Sequence, residues 1–516
     1  MSVESMHPIY ARRMDQWKTI RDCIEGEDAI KAAGERYLPR ASGSDTYEYE
    51  AYKRRARWNN YTARNLEGLH GLVMRRVPVI SCSTEFRTSG VLENIDRKGT
   101  SFYQFVSDSL FDAMQTSFGG YLLDLPETDG TISKLDAEKQ GIRPYLRYYA
   151  AESIINWGWR IIDGIEQLAF VVLREIIDDP FADEFDHVPR TRYRVLEIVD
   201  GIYRQRIFNW TFDKNGAEIP EETGRVVNIV INGKSISYIP FVTVPSREPE
   251  KPMFYDLAMC NIGHYQKSAD YENGVHLTTI PTGYVTGHRQ VRGPEDEPET
   301  IRLGGDSFLI FEESEAKVGT LVFSGEGLSH SETAITSALT DMAVLGSRLI
   351  APEKGVNESA DSAKIHRAGE NARLATFATN YSEALSKAMT WLARWDGYDE
   401  TITISLCTDY DTLSFDPNAL NALANLAEAG KLPAPYVFYN LKNGEYAPTE
   451  ADFEEYAILL QMEQVGMTPL EQLDFIRKKR KGETTDIDIQ SLVSQSVAPD
   501  QNSVVNQSNT QNMETE

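Results

Sequence analysis

The stretch NIGHYQKSADYENGVHLTTIPTGYVTGHRQ, residues 261–290, begins as a helix and ends as something else. Ile262, Tyr265 and Ala269 recur at spacings of three and four, as residues on one side of a helix do. Two threonines, an isoleucine and a proline then stop the pattern, and β-branched residues and glycines follow. The stretch therefore predicts a helix over residues 253–277 that enters a small strand-rich module.

The module ends where a second helical stretch begins, SHSETAITSALTDMAVLGSRLI, residues 329–350. Ser329 and Glu332 have the spacing of a capping box, in which each side chain satisfies a free backbone N–H at the start of a helix. Two helices of similar length thus flank the strand-rich residues 279–326. This order predicts a hairpin of helices that carries the small module at its end.

A polar loop and a very long helix follow. The loop IAPEKGVNESADSA contains Pro352 and Gly355, which prevent a continuous helix. Residues 360–395 have an alanine-rich helical stripe, which predicts close packing against another helix, and Gly397 suits its C-terminal cap. TITISLC then predicts a strand, and residues 416–481 are again helical in pattern.

The part before the opening stretch combines helices with strands. Apolar periodicity predicts helices over residues 46–75 and 101–117, and GGYLLDLP predicts a buried strand. From about 145 to 245 the period changes to two, with turn residues between the strands, which is typical of an antiparallel sheet. The predicted fold class is therefore α+β.

Composition limits the classes of protein. A chain of 516 residues is too long for one ordinary core, and its net charge of −26 argues against tight general binding to nucleic acid, although not against loose contact. No apolar run is long enough to cross a bilayer, and the first residues lack a secretory signal, so we expect synthesis in the cytoplasm. The four cysteines lie far apart and are expected to be reduced core thiols, and residues 483–516 are expected to be a disordered tail.

Motifs of catalysis and cofactor binding are missing from the sequence. It has no GxxxxGK[ST] loop, no GxGxxG after a strand, no HExxH and no GxSxG. His264 and His276 are too far apart on their helix to share a metal and are interpreted as packed polar positions. The acidic runs PEDEPE and FEESE are interpreted as solvated surface. We therefore predict no catalytic residue, no cofactor and no metal site.

Several stretches and their order resemble the portal proteins of tailed bacteriophages. The stretches are RARWNNYTARNLEGLHGLVMRR, YYAAESIINW, NIGHYQKSADYENGVHLTTIPTGYVTG, GTLVFSGEGLSHSETAITSALTDMAVLGSRLI and RAGENARLATFATNYSEALSKAMTWLARW. The resemblance spans about residues 46–400 and depends on many moderate matches in the right order. It implies a portal-type fold with an α+β wing, a two-helix stem, a small β-containing clip, a long kinked helix and a helical C-terminal crown. The implied boundaries are 1–250 for the N-terminal part of the wing, 251–278 and 327–349 for the stem helices, 279–326 for the clip, 350–359 for the tunnel loop, 360–415 for the long helix and the return to the wing, 416–482 for the crown and 483–516 for the tail.

What the resemblance implies about function is a homo-oligomeric ring, usually a dodecamer, at the portal vertex of the capsid in the virion. Double-stranded DNA would be packaged and ejected through its channel without sequence specificity, and no membrane and no enzyme activity are implied. The implied partners are the terminase large subunit, head-completion and tail adaptor proteins, and the major capsid and scaffolding proteins. An acidic wall repeated around a ring suits a channel along which DNA must slide and not stick.

Candidate contact residues follow from the same resemblance. The candidates in the tunnel loop, which would face DNA in the channel, are Glu353, Lys354, Asn357 and Glu358. The basic candidates in the clip are Arg289, Arg292 and Arg302. The basic candidates in the crown are Arg477, Lys478, Lys479, Arg480 and Lys481. This last run is interpreted either as a complement to a helix dipole or as a contact for a polyanion.

Two alternatives stay open. The carboxylate clusters are compatible with a phage-encoded acidic hydrolase or metal-dependent nuclease, whose activity would be sensitive to a chelator. A structural adaptor that forms no ring differs from a portal in oligomeric state, so a mass measurement separates the two. We favour the portal.

Overall fold

The structure is a computed structural model in which the chain forms two compact units, Met1–Tyr410 and Asp411–Glu516. It describes residues 2–126, 142–162, 164–179, 183, 185–214, 218–231, 233–279, 282–286, 315, 317–321, 325–346 and 360–410 of the first unit. In the second unit it describes residues 421–422, 425–427, 429, 434–443, 453–464, 468 and 473. The predicted tunnel loop and tail lie outside the described residues.

Helices dominate the first part of the chain. They are α1 Pro8–Glu25, α2 Glu27–Ala32, α3 Thr46–Arg55, α4 Tyr61–Val73, α5 Thr84–Arg87 and α6 Phe102–Thr116. The helix predicted over 101–117 is confirmed as α6, but the single helix predicted over 46–75 is wrong, because it is two helices. Ala56 leaves the helical backbone, and the Asn60 side chain caps α4 by accepting from the backbone N–H of Ala63 at 3.0 Å. The break lets Trp58 turn into the core, where it is 7% exposed.

A three-stranded sheet lies at the centre of the first unit. Its strands, in the order β11-β2-β3, are β2 Gly119–Asp124, β3 Tyr145–Ala150 and β11 Phe241–Val244. Every residue of β2 is buried, which confirms the strand predicted for GGYLLDLP. A Cβ at Gly120 would come within 2.2 Å of the Phe241 ring, so the sheet needs a glycine there to let its neighbours approach.

A second sheet of five antiparallel strands confirms the pattern of period two. Its strands pair in chain order and are β4 Ile154–Ile162, β5 Ile165–Asp178, β6 Pro189–Val199, β7 Ile202–Phe212 and β8 Glu218–Asn228. The stretch SYIPFVTV does not continue this sheet, because its FVTV part is β11 of the central sheet. Two short pairs complete the strands: β9 Val230–Ile231 with β10 Lys234–Ser235, and β1 Val79–Ser81 with β14 Thr403–Ser405.

The helix hairpin of the opening stretch is present. Helix α7, Tyr255–Thr279, packs against α8, Leu328–Leu345, and between them β12 Thr282–Thr286 pairs antiparallel with β13 Lys317–Leu321. The predicted capping box is wrong. Helix α8 continues from the 3-10 turn Gly325–Gly327, so Gly327 is its N-cap and Ser329 already lies inside the helix.

Helix α8 is also shorter than predicted. It ends at Leu345, before the predicted end at 349, and Gly346 is its C-cap. Leu345, its last residue, is 50% exposed.

The long helix is confirmed as α9, Ala360–Asp396. A helix was predicted as its partner, but α9 packs mainly against the strands β14, β11 and β2 and makes a smaller contact with helix α4. Its hydroxyl groups accept hydrogen bonds from the backbone N–H groups of the strand segment that contains β14: Ser382 from Leu406 at 3.2 Å, Ser386 from Ile404 at 2.8 Å and Thr390 from Ile402 at 3.0 Å. The acceptors are four residues apart on the helix, a rise of about 6.0 Å, and the donors are two residues apart on the strand, a rise of about 6.6 Å. Because the two spacings are nearly equal, all three hydrogen bonds can form. The hydroxyls thus take the place of a neighbouring strand.

The end of α9 follows its prediction. Gly397 has φ of 101°, and the backbone N–H groups of Gly397 and Tyr398 donate to the carbonyls of Arg394 and Ala393. These two bonds form a Schellman motif, which satisfies carbonyls that the helix leaves free. In the second unit, α10 Ala434–Asn443 and α11 Phe453–Gln464 confirm a helical pattern, and Phe438 packs against Phe453 and Tyr456.

Candidate functional site: the helix pair and its hairpin

Helix α7 has one buried side and, opposite to it, a side that is only partly covered. Ile262, Tyr265 and Ala269 belong to a core cluster with residues of α1 to α3, and the Trp58 ring meets the Tyr265 ring edge-on at 5.7 Å. Positions 260, 267 and 274 repeat every seven residues and therefore share one side of the helix. At about 3.6 residues per turn, this side is opposite to the side of Ile262, Tyr265 and Ala269. Helix α8 packs on that opposite side. The N-terminal helices and α8 consequently flank α7.

One close approach sets the register of α7 against α8, and one charge interaction agrees with it. A Cβ at Gly274 would come within 2.8 Å of a Leu328 methyl carbon, so the two helices approach closely there. Thirteen residues further along α8, Asp341 lies near Cys260, because burial and then the charge of Asp341 raise the pKa of that thiol. The two helices are therefore antiparallel side by side, and Glu332 of α8 lies opposite residue 270 of α7.

The outer face of α8 is exposed and presents little polarity. The hydroxyls of Thr333, Thr336 and Thr340 donate to the backbone carbonyls four residues earlier, at 2.9, 2.9 and 3.1 Å. These three threonines follow one another around the same face, and Val344 continues the stripe at 70% exposure. Because the hydroxyl donors are already satisfied, this face can be removed from water at little cost.

The helix pair is acidic. Helices α7 and α8 together contain one Lys or Arg residue, Lys267, and five acids, which gives the pair a net charge of −4. The acids are Asp256, Asp270, Glu272, Glu332 and Asp341. Exposed phosphates would be repelled from such a surface and would not be retained by it.

The hairpin β12–β13 lies next to α7 and α8 in the chain. Its register pairs Tyr284 with Gly319, and the tyrosine ring lies across the glycine so closely that a Cβ there would come within 2.6 Å of it. Tyr284 and Val318 are about half exposed. The described part of the hairpin is therefore a two-stranded unit whose side chains are available to a partner.

The candidate contact residues from the sequence lie outside the described residues. This holds for the tunnel-loop candidates Glu353, Lys354, Asn357 and Glu358, for the clip candidates Arg289, Arg292 and Arg302, and for the crown candidates Arg477, Lys478, Lys479, Arg480 and Lys481. Their contact roles stay predictions. His264, in contrast, is buried with its ring edge-on to Tyr61 at 5.5 Å, as expected for a packed polar position. Burial, and then Lys267, lower the pKa of His264, which favours the neutral ring.

Sequence reasoning missed a buried ionic cluster between the two large sheets. Glu175 of β5 has a side chain that is 0% exposed and accepts from Tyr149 at 2.5 Å. The guanidinium groups that surround its carboxylate belong to Arg147, Arg192 and Arg194. Arg194 also reaches Asp124 of β2 at 2.9 Å, so the cluster ties the five-stranded sheet to the central one. An alternating strand pattern does not reveal it, because Glu175 looks like a surface position.

A cleft of about 850 Å³ lies beside this cluster. Its carboxylates already have partners: Asp96 accepts from Thr100 at 2.8 Å, Asp108 from Gln104 at 2.6 Å, and Asp112 from Tyr148 at 2.9 Å. Among the described residues, no group of three or more His, Cys, Asp or Glu side chains could hold a metal ion. Of these three hydrogen bonds, the one from Tyr148 to Asp112 joins β3 to α6.

One family of proteins matches part of the chain. The family description "Domain of unknown function (DUF4055)" matches residues 253–396, a range that starts two residues before α7 and ends with the last residue of α9. No curated protein matches the chain. Within the described part of the chain, no helix combines the length and the apolar character needed to cross a membrane.

Two solved structures are similar to the chain at low scores. One is titled "Neck of empty GTA particle computed with C6 symmetry", with a TM-score of 0.34 and 13% identity over 80% of this chain and 97% of that chain. The other is titled "Neck of native GTA particle computed with C12 symmetry", with a TM-score of 0.31 and 11% identity over 80% of this chain and 98% of that chain. A likeness at these scores does not establish a shared fold.

Proposed function

We propose that this chain is the subunit of a phage portal, a ring at one vertex of the capsid through which double-stranded DNA is packaged and later ejected. The observation that carries the proposal is the antiparallel pair α7–α8 with the hairpin β12–β13 joined to it. This is the order of elements that the sequence resemblance implies for a portal stem and clip. The acidic charge of the pair supports it, because a DNA channel must repel phosphates enough to let the duplex slide.

The parts of the chain then take distinct roles. The central and five-stranded sheets with α1 to α6 are the wing, α7 and α8 the stem, and residues 279–326 the clip. The clip docks the terminase large subunit during packaging and the head-completion and tail adaptor proteins afterwards. The helices after residue 416 are the crown inside the capsid, where scaffolding and major capsid proteins surround the ring. The chain itself is not an enzyme in this proposal, and the motor supplies the ATP hydrolysis.

Oligomeric state tests the proposal directly. We expect the purified full-length chain to form a closed ring with rotational symmetry, usually of twelve copies, because head-to-tail contacts that close give rings. Native mass spectrometry at micromolar concentration measures the number of copies, and end-on particle images show the channel. A chain that stays a monomer or a dimer under these conditions is not a portal and fits the structural adaptor instead.

The predicted tunnel loop offers a test of DNA contact. Lys354→Glu is expected to leave ring formation unchanged, since surface substitutions usually stay within about 0.5 kcal/mol. It should reduce the DNA content per particle, because it adds like charge where the loop approaches DNA, and high salt should soften the defect. Full DNA content at low salt would show that the loop does not approach DNA.

A further inference from the structure

A basic edge and an acidic edge lie on opposite sides of α7. The basic edge consists of Arg54 and Arg57, at and just beyond the end of α3, and both are exposed. The acidic edge is Glu332 of α8, which is exposed one turn after Leu328 and one turn before Thr336, at the margin of the threonine stripe. Because α3 packs on one side of α7 and α8 on the other, the two edges lie on opposite sides of α7.

The two edges also lie at the same level along α7. Arg57 approaches Glu272 of α7 at 3.7 Å, and Arg55 donates to Asn273 at 2.8 Å, so the basic edge stands beside residues 272–273. Gly274 meets Leu328 and Cys260 lies near Asp341, so Glu332 stands opposite residue 270. At 1.5 Å per residue, the two edges differ in height by only about 3 to 5 Å.

Charge distribution makes the edges complementary. Residues 53–64 contain five basic residues and no acid, in a chain whose net charge is −26. Helix α8 contains two acids and neither Lys nor Arg over its whole length. Lys53 is already bonded to Glu50 at 2.8 Å and Arg55 to Asn273, whereas the side chain of Arg57 is 74% exposed and its Glu272 contact is long.

We infer that the basic edge of one copy of this chain binds the acidic edge of the next copy, with Arg57 and Arg54 against Glu332 and the threonine stripe packed beside them. This inference depends on the proposed ring and names one contact that closes it. The surfaces are different and lie on opposite sides of α7 at one level, so the contact is head-to-tail and repeats from copy to copy. The internally bonded threonine hydroxyls let the face of α8 lose water without leaving a donor unsatisfied.

A charge swap tests the contact. Arg57→Glu and Glu332→Lys, each alone, should raise the concentration at which half of the full-length chain is assembled by about tenfold or more, because each places like charges in contact. The double variant Arg57→Glu with Glu332→Lys should return to within about threefold of the unaltered protein. Sedimentation velocity measures assembly, and circular dichroism of the dissociated chain checks that each variant is folded.

Asp341→Lys is the matched control. It reverses an exposed acid on the same helix, but nine residues from Glu332, or about 14 Å along the axis. Arg57→Glu should not rescue it. At about 1 M salt, where screening acts over roughly 3 Å, the differences among all of these variants should shrink.

The outcomes separate this inference from the proposed function. If the unaltered chain never assembles, the ring and this contact both fail. If it assembles and the two single variants simply add in the double variant, the ring stands and this contact is wrong. If Arg57→Glu lowers binding of a double-stranded DNA probe while Glu332→Lys leaves assembly unchanged, the basic edge takes a phosphate backbone, and the inference is again wrong.

Discussion

Removing the charge of Glu175 should loosen the contact between the two large sheets by roughly 3 kcal/mol. Burial by itself would raise the pKa of this carboxyl, but Arg194, Arg147 and Arg192, together with the Tyr149 hydroxyl, outweigh burial and lower it to about 2 from an ordinary 4.5. A pKa shift of one unit corresponds to 1.36 kcal/mol, so the charged form of Glu175 contributes roughly 3 kcal/mol to the free energy of unfolding. A similar loss, about 3 to 5 kcal/mol, is expected when one partner of a buried ion pair is removed.

The sign of the pH dependence follows from the same shift. A carboxyl whose pKa is lower in the folded protein stabilises the fold fully above about 4.5, and that contribution is lost as the pH falls towards 2. The amides of β5 and β6 in the unaltered protein should therefore lose protection against hydrogen exchange over this interval, after correction for the intrinsic rate. Glu175→Gln should lack this part of the acid dependence.

Hydrogen exchange followed by mass spectrometry measures the effect on the full-length chain. At pH 7, Glu175→Gln should speed exchange in β5, β6 and β3 by about a hundredfold, the equivalent of roughly 3 kcal/mol. Glu197→Gln is the matched control. Glu197 pairs with Arg204 and Arg206 on the other face of the same sheet, where solvent reaches the pair and its loss should cost about 1 kcal/mol or less. Equal effects of the two substitutions, or a change below threefold for Glu175→Gln, would refute the assignment of the cluster as a tie between the sheets.

Three further predictions concern the long helix and the hairpin. Ser386→Ala should leave the backbone N–H of Ile404 in β14 without its acceptor, lower the free energy of unfolding by about 1 to 3 kcal/mol and speed hydrogen exchange in β14. The control Thr376→Ala, on the exposed face of α9, should lower it by less than about 0.5 kcal/mol. Gly397→Ala should lower the melting temperature, because a residue with a Cβ pays about 1 to 2 kcal/mol to adopt φ of 101°. Gly263→Ala should raise it, because alanine favours the helix more than glycine does and nothing lies within 4 Å of the new Cβ in α7. Replacing residues 281–324 with a short Gly/Ser turn should leave ring assembly intact and abolish packaging, and normal terminase binding by the shortened ring would contradict the clip assignment.

Local signals explain why several elements could be predicted. Helix α6, the helical stretches α7 and α9 and the buried strand β2 each have a period or a composition that nearby residues set by themselves. The cap at Gly397 is equally local, since only the backbone at the end of α9 requires a positive φ. The predicted capping box failed at the same scale, because α8 begins directly after a 3-10 turn and the spacing of Ser329 and Glu332 does not show where the first helical residue falls.

The candidate site was predicted in outline and not in its contacts. The order of a helix, a strand-rich module and a second helix followed from the sequence, and the net charge of −26 predicted an acidic chain. The two edges did not, because they depend on which side of α7 each neighbour packs. The segment that contains Arg54 and Arg57 reads along the chain as the interior of one long helix, and only the break at residues 56–60 makes it an exposed corner.

The sequence by itself determined the elements of this protein: where the chain turns helical, where it alternates, and where glycine or proline ends a pattern. These choices depend on interactions within a few residues. Tertiary structure alone decided the partners of α9 and β11 and the assembly of Glu175 with Arg147, Arg192 and Arg194 from three strands. The alanine stripe of α9 can pack against a helix or a sheet equally well, so the burial of this stripe did not determine which element α9 packs against. The hydroxyls of α9 matched unpaired N–H groups of a strand far along the chain, and a buried donor must find an acceptor wherever the fold supplies one.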